Sequence, residues 1–177
     1  MTAPPAAPGP SSIPLSPHLE NTQSSTFQTG LAIRSSVMSP SFATRALSST
    51  TPFNAPLQEA VTSFAWGQVW SRPGLGRRDR SLLNLAILIA LSKPTELAGH
   101  TRGALNNGIT KEELAEVALH AAVYCGFPAA LDAARTMERV VNEVEAEQLA
   151  ERERQKEQEH EHEKEHGHEG KKEDKEP

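Results

Sequence analysis

The sequence predicts a single-domain, all-α protein. No segment alternates apolar and polar residues with the period of a strand, whereas several segments repeat apolar residues every three or four positions. Proline, glycine and asparagine separate these segments at positions where helices end. A chain of 177 residues fits one domain. Its flanks are polar, so we expect a folded unit of roughly 110 residues with a modest core.

Composition divides the chain into three parts. Residues 1–29 are rich in proline, serine and threonine and are expected to be a disordered leader. Residues 30–144 hold nearly all of the large apolar side chains and form the predicted domain. Residues 145–177 repeat glutamate, lysine and histidine. We expect this last part to begin as a helix and to fray beyond Leu149.

The predicted domain begins with an arm, residues 30–51, that packs on the core or on a neighbouring subunit. Two helical turns are expected up to Met38, because Pro40 interrupts the pattern. The first helix of the core is predicted to start at Asn54, as N-cap, and to reach Val69. A proline and two glycines then end it.

The next helix is predicted to start at Asp79 or Ser81. Its sequence LLNLAILIAL is apolar on all sides, which is typical of a buried central helix. A strand is the alternative for so short a run, but the leucine and alanine content favours a helix. A third helix is predicted from Pro94, with Ser92 as cap, to the asparagines before Gly108.

Two further helices are predicted. Thr110 and Glu113 have the spacing of a capping box, which marks the start of the fourth helix. Gly126 ends it, and the fifth helix starts near Pro128 and continues past Val144.

Charge and cysteine content exclude several classes of function. The net charge of −5 comes from the tail, and the near-neutral domain has no basic patch for nucleic acid. The single cysteine, Cys125, excludes an intramolecular disulfide and is expected to be a buried, inert thiol. No membrane span or secretory signal is predicted, and we expect a cytoplasmic protein. The Ser/Thr-rich residues 24–51, with two arginines, leave organellar targeting as a weaker alternative.

Two polar stripes lie on otherwise apolar helices. Glu96 and His100 are four residues apart on the third helix, and Glu116, His120 and Tyr124 are spaced by four on the fourth. A carboxylate, an imidazole and a phenol are the groups of a proton-transfer site. We therefore expect the two stripes to face each other. The alternatives are surface ion pairs and an ordinary partly buried histidine.

No metal centre is predicted in the domain. Both pairs have the spacing Glu-x-x-x-His, which is neither the zinc motif H-E-x-x-H nor the Glu-x-x-His of di-iron bundles. The tail histidines are expected to be solvated and to bind metals weakly at most. They are His160, His162, His166 and His168.

Three segments carry a family resemblance. They are WGQVWSRPGL at residues 66–75, HTRGALNNGITKEE at 100–113 and AVYCGFPAA at 122–130. Together they resemble the carboxymuconolactone decarboxylase family. The arm is similar as well, through Gly30, Leu31, Arg34 and Arg45, which explains its arginines better than a targeting signal does. The resemblance covers residues 30–144 and implies an AhpD-like helical bundle.

The resemblance is to the decarboxylase branch of the family rather than to its thiol branch. In the thiol branch a glutamate, two cysteines and a histidine form a relay. That pattern falls here on Ser81, Lys93, Glu96 and His100. Only the histidine is kept, and thiol exchange requires both missing thiols.

The resemblance implies decarboxylation of 4-carboxymuconolactone to the 3-oxoadipate enol-lactone without a cofactor, because the conjugated lactone carbonyl accepts the electron pair that CO₂ leaves behind. His100 is the expected proton donor or oxyanion partner, with Glu96 setting its tautomer and raising its pKa. His120 and Tyr124 are second choices. The alternatives are another carboxylated lactone or polyketide-like acid as the substrate, and a non-enzymatic scaffold.

The remaining predicted roles concern substrate binding and assembly. Arginine suits the substrate carboxylates by its bidentate geometry. The predicted binding residues are Arg72, Arg80 and Arg102 for the carboxylates, with Trp66, Trp70, Asn107 and Glu116 lining the site. Members of this family are ring-shaped oligomers, so a homo-oligomer, a trimer or a hexamer, is expected to cover the apolar central helix.

Overall fold

The computed structural model describes residues 14–19 and 24–169, and within these ranges all regular structure is helical. The predicted all-α fold is confirmed. A 3₁₀ turn at Pro17–Leu19 precedes the helices α1 (Ser25–Met38), α2 (Pro40–Ser48), α3 (Ala55–Ala60), a π-helix (Val61–Val69), α4 (Arg77–Ala90), α5 (Pro94–Asn106), α6 (Lys111–Cys125) and α7 (Phe127–Glu169). None of the described helices is long and apolar enough to cross a membrane.

The N-terminal helix starts earlier than predicted. The Ser24 hydroxyl accepts a hydrogen bond from the Phe27 amide at 3.2 Å and caps α1. Phe27 and Leu19 are fully buried in one core cluster with Leu31 and Leu47. The expectation of a disordered leader is therefore wrong for residues 14–19 and 24–29. The rest of that segment lies outside the described residues.

Helix α1 crosses the π-helix at a very short distance. A Cβ added to Gly30 would overlap the Thr62 carbonyl oxygen, and one added to Gly67 would overlap that of Thr26. Glycine is needed on both helices because no side chain fits between the two backbones. The crossing brings Val37 and Met38 of α1 into a second core cluster with Trp66 of the π-helix and Trp70, the residue that follows it.

The first predicted core helix is divided into α3 and the π-helix. Asn54 is the N-cap residue of α3, as predicted, but its side chain makes no capping hydrogen bond, because its Oδ1 accepts from the Thr51 amide at 2.8 Å. Leu57 and Phe64, which the helical period assigns to the core, are exposed. The wider turn of a π-helix shifts side chains around the axis, and such segments are frequent at functional sites.

Helix α4 packs against α5 and α6, but it is not buried on all sides. Leu85 and Ile89 are buried, whereas Leu83, Ile87 and Leu91 are each at least half exposed. The expectation of an entirely buried central helix is therefore wrong for the single chain.

The predicted ends of α5 and α6 are close to the observed ones. Lys93 rather than Ser92 is the N-cap of α5, and Gly108 after its end has a φ of +83°. The capping box at the start of α6 is confirmed: the Thr110 hydroxyl accepts from the Glu113 amide at 3.2 Å, and the Glu113 carboxylate accepts from the Thr110 amide at 3.0 Å.

The chain divides into two compact units, with the boundary between Glu138 and Arg139. In the second unit α7 stays helical as far as Glu169, so the predicted fraying beyond Leu149 is wrong up to that residue. Exposed pairs of Arg139 with Glu143 and of Arg154 with Glu151 join adjacent turns. Such pairs stabilise the exposed face of a helix.

Candidate active site

His100 lies where the π-helix, α4 and α5 meet. Its ring is half-buried and nearly parallel to the indole of Trp66, at an interplanar angle of 12° and a centroid distance of 6.2 Å. Trp70 follows Trp66, with ring centroids 4.8 Å apart. Both indoles are buried, and Trp66, near the end of the π-helix, presents an apolar face to the imidazole.

Asn84 of α4 is the hydrogen-bonding neighbour of His100. Its amide nitrogen lies 3.4 Å from Nδ1 of the ring. An amide nitrogen only donates, so Nδ1 accepts and the neutral ring carries its proton on Nε2. Glu96 is exposed and makes no hydrogen bond to His100 in the described structure. The expectation that Glu96 sets the tautomer is therefore wrong, and Asn84 takes that role.

Burial keeps His100 neutral. Loss of hydration lowers the pKa of His100 below its ordinary value of 6.5. The Glu96 carboxylate raises that pKa and the Arg34 guanidinium lowers it, and both effects are smaller than that of burial. Glu96 thus acts in the predicted direction, but the net shift of the pKa is downward.

Arg34 is a functional candidate that the sequence analysis missed. It lies on α1 with only 6 % of its surface exposed. Its Nη1 donates to Gln58 Oε1 and to Thr62 Oγ1, each at 3.1 Å. Burial lowers the pKa of Arg34, yet a guanidinium stays charged in proteins. The sequence prediction places Arg34 only in the arm. Its position one helical turn after Gly30, where α1 contacts the π-helix, puts it beside that helix.

Of the three predicted carboxylate-binding arginines, Arg80 alone shares a helical face with Asn84. It is half-buried on α4, and its Nη2 donates to the Arg72 carbonyl oxygen at 3.1 Å. Its Nε is buried and donates to no acceptor in the described part of the chain. Arg72 is exposed, and Arg102 is two residues beyond His100, on another face of α5.

Asn107 joins two helices. Its amide nitrogen donates to Ser81 Oγ at 2.9 Å and to the Arg77 carbonyl oxygen at 3.5 Å. These contacts fix the end of α5 against the start of α4. Asn107 was predicted to line the site. In the structure it connects α5 to α4 through these hydrogen bonds.

The stripe on α6 is placed away from His100. The rings of His120 and Tyr124 contact each other at a centroid distance of 5.0 Å, but both residues are exposed, Tyr124 at 77 %. Glu116 is exposed too. Because α6 packs on α4 rather than on α5, the predicted facing of the two stripes is wrong within one chain. Cys125, predicted to be buried, is only partly so.

A separate groove lies between the end of α4 and the first turns of α7. Leu88, Lys93 and Leu97 line one side, and Asp132 and Thr136 line the other. The groove contains none of the predicted site residues, so it is distinct from the site at His100.

Comparisons with known proteins agree with this architecture. The model of the carboxymuconolactone decarboxylase family matches residues 55–139. A nitrosuccinic acid decarboxylase of Metarhizium robertsii is 45 % identical over 118 residues, which are 67 % of this chain and 82 % of the relative. A 4-carboxymuconolactone decarboxylase of Acinetobacter baylyi is 42 % identical over 118 residues, 67 % of this chain and 88 % of the relative. The chain therefore belongs to the carboxymuconolactone decarboxylase family and is a decarboxylase.

Proposed function

We propose that this enzyme decarboxylates 4-carboxymuconolactone to the 3-oxoadipate enol-lactone without a cofactor. The observation that carries the proposal is the half-buried, neutral His100 between Trp66 and Asn84, in a chain that is 42 % identical to a decarboxylase of that acid. A neutral imidazole N–H in a partly dry site suits an oxyanion that forms only during the reaction.

The reaction requires a sink for one electron pair. When the bond to the departing CO₂ breaks, its electrons pass through the ring double bond to the lactone carbonyl oxygen. His100 donates its Nε2–H to that oxygen as charge accumulates there. One proton is then taken up at the carbon next to the carbonyl, which gives the enol-lactone. The apolar indoles favour the step because they disfavour the charge on the departing carboxylate.

Nitrosuccinic acid is the second candidate substrate, because the relative named for it is 45 % identical. The two acids share a succinate unit. One carbon of this unit carries the departing carboxylate and is bonded to an electron acceptor. A CH₂ group joins that carbon to the second carboxylate, which the product keeps. In one acid the acceptor is the conjugated lactone, and in the other it is the nitro group. The same oxyanion partner serves both.

An assay of purified protein tests both candidates. Loss of the lactone and formation of nitropropionate would be followed separately, with and without a chelator. We expect His100→Ala to lower kcat by roughly 10²–10³-fold, as removal of an oxyanion donor does. Glu96→Gln is expected to lower it far less, because Glu96 acts only through its charge. Wild-type rates in both variants would overturn the role of His100, and conversion of neither acid would overturn the substrate assignment.

We also propose that the enzyme works in the cytoplasm as a homo-oligomer, a trimer or a hexamer. The support is the row of exposed apolar side chains on α4 and α6, among them Leu83, Ile87, Leu119 and Val123. Contiguous apolar surface of this kind is uncommon on a monomer.

A further inference from the structure

We infer that Arg34 binds the carboxylate that the substrate keeps, the one on its CH₂ arm. The substrate identity in this inference rests on the proposed function. The binding site itself rests on the position, burial and hydrogen bonds of Arg34.

Arg34 is a buried cation without a counter-ion. Its two acceptors, the Gln58 amide and the Thr62 hydroxyl, are neutral. Among the described residues no carboxylate pairs with it, and its Nη2 and Nε donate to no protein acceptor. Burying an uncompensated charge is costly. A ligand carboxylate would supply the missing charge and would accept from these two nitrogens in the bidentate geometry that guanidinium favours.

The position of Arg34 relative to His100 is fixed through the π-helix. Thr62, which holds Nη1 of Arg34, is one turn before Trp66, and Trp66 stacks on His100. The backbones of α1 and the π-helix are in direct contact at Gly30, where no side chain fits between them. The Arg34 guanidinium also lowers the pKa of His100 through its charge. The inference places the substrate between these two residues.

The chemistry decides which carboxylate Arg34 holds. A cation on the departing carboxylate would stabilise a charge that must disappear in the transition state, and this would slow the reaction. A cation on the retained carboxylate stabilises the substrate and the transition state equally. Arg34 thus supplies binding and orientation, while His100 meets the charge that develops.

This assignment makes Arg34 the residue that selects the substrate class. Both candidate acids keep a –CH₂–COO⁻ group, whereas their electron acceptors differ. Recognition of that shared group by a fixed guanidinium fits one site to either acid. A related acid without the arm would leave the guanidinium unpaired and would bind poorly.

Succinate is the probe for the experiment, because it is the shared unit without an acceptor and does not react. Its dissociation constant would be measured by calorimetry for the wild type, Arg34→Gln and Arg34→Lys, with butanoate as the monocarboxylate control. We expect Arg34→Gln to weaken succinate binding roughly 10–100-fold, the range for a hydrogen-bonded charge. Arg34→Lys should fall between, and butanoate should bind weakly to all. The matched control is Arg45→Gln, an exposed arginine of α2, which should bind like the wild type.

Kinetics gives a second readout. Because Arg34 stabilises the bound substrate and the transition state equally, Arg34→Gln should raise KM for the reacting acid with little change in kcat. Wild-type succinate affinity in a folded Arg34→Gln protein would overturn the inference. If Arg34→Gln does not fold, Arg34→Lys decides: intermediate affinity supports the inference, and wild-type affinity overturns it. Because succinate does not react, these results stand even if neither candidate acid is converted.

Discussion

At the scale of single residues, the histidine that we propose for the chemistry also makes the fold sensitive to acid. The pKa of His100 is lowered in the folded chain, chiefly by burial, with Glu96 raising it and Arg34 lowering it. Below the ordinary pKa of 6.5, the unfolded chain therefore binds more protons than the folded one. Stability that is present at neutral pH is lost as the pH falls through this value, until the lowered pKa is reached.

The pH dependence can be isolated by substitution. The free energy of unfolding would be measured in urea between about pH 7.5 and about pH 5 for the wild type and for His100→Gln. We expect the wild type to lose more stability on acidification than the variant, because glutamine takes up no proton. His120→Gln is the control, since that ring is exposed, and it should follow the wild type. A steeper acid loss in His100→Gln would contradict the buried, neutral imidazole.

Local sequence patterns singled out His100 and missed Asn84, which hydrogen-bonds to it, and Arg34, which lowers its pKa. The Glu–His spacing singled out His100, but the same spacing singled out His120, which is exposed. A period of four residues shows which side chains share a face, without showing what covers that face. Asn84 and Arg34 act through contacts between distant helices. Neither residue has a local pattern that predicts those contacts.

At the scale of helices, the crossing of α1 and the π-helix holds the site together. We expect Gly30→Ala and Gly67→Ala each to reduce the free energy of unfolding by at least about 1–3 kcal/mol, the usual range for overpacking, because the obstacle is backbone that cannot move aside. Both should also lower activity by displacing Arg34 and Trp66. Chemical denaturation and the decarboxylation assay measure the two effects.

Gly74 provides the control for the crossing. An added Cβ there meets nothing within 4 Å, so Gly74→Ala should leave stability and activity close to those of the wild type. Equal effects of Gly30→Ala and Gly74→Ala on stability and activity would contradict the close contact between the backbones of α1 and the π-helix.

The capping box of α6 gives a second prediction for a helix. Thr110→Ala removes the acceptor of the Glu113 amide and is expected to cost about 1 kcal/mol of unfolding free energy. Thr110→Ser keeps the hydroxyl and should cost much less. Since Thr110 caps α6, which carries neither His100 nor the residues that contact its ring, kcat should change little. A large loss of kcat in folded Thr110→Ala would indicate that α6 takes part in the chemistry.

Helix ends were predictable because capping residues act locally, as Thr110 and Gly108 illustrate. The π-helix was not predictable, since residues 57–69 have an ordinary helical period. Its wider turn coincides with the place where α1 lies against it, at Gly67. That constraint comes from a segment more than thirty positions earlier, and no pattern within the helix itself records it.

At the scale of the whole molecule, the all-α class followed from periodicity, whereas the number of helices in the core did not, because the first predicted helix is divided in two and α1 joins the core. The sequence could not separate the buried from the exposed side of α4, because both sides are apolar. In the single chain, Leu85 and Ile89 take the inner side, and Leu83, Ile87 and Leu91 remain outside. A side that is apolar but exposed is expected to be covered by another copy of the chain.

Assembly is therefore the prediction that belongs to this scale. We expect the purified wild type to have the mass of a trimer or a hexamer in size-exclusion chromatography with light scattering. Ile87→Glu places a charge in the middle of the α4 row, where an interface would have to bury it at a high desolvation cost. That variant should dissociate to smaller species. Leu149→Glu, at an equally exposed leucine of α7, is the control and should keep the wild-type mass. A monomeric wild type at micromolar concentration would contradict the prediction. Dissociation caused by Leu149→Glu but not by Ile87→Glu would indicate that the interface lies on α7 instead of α4.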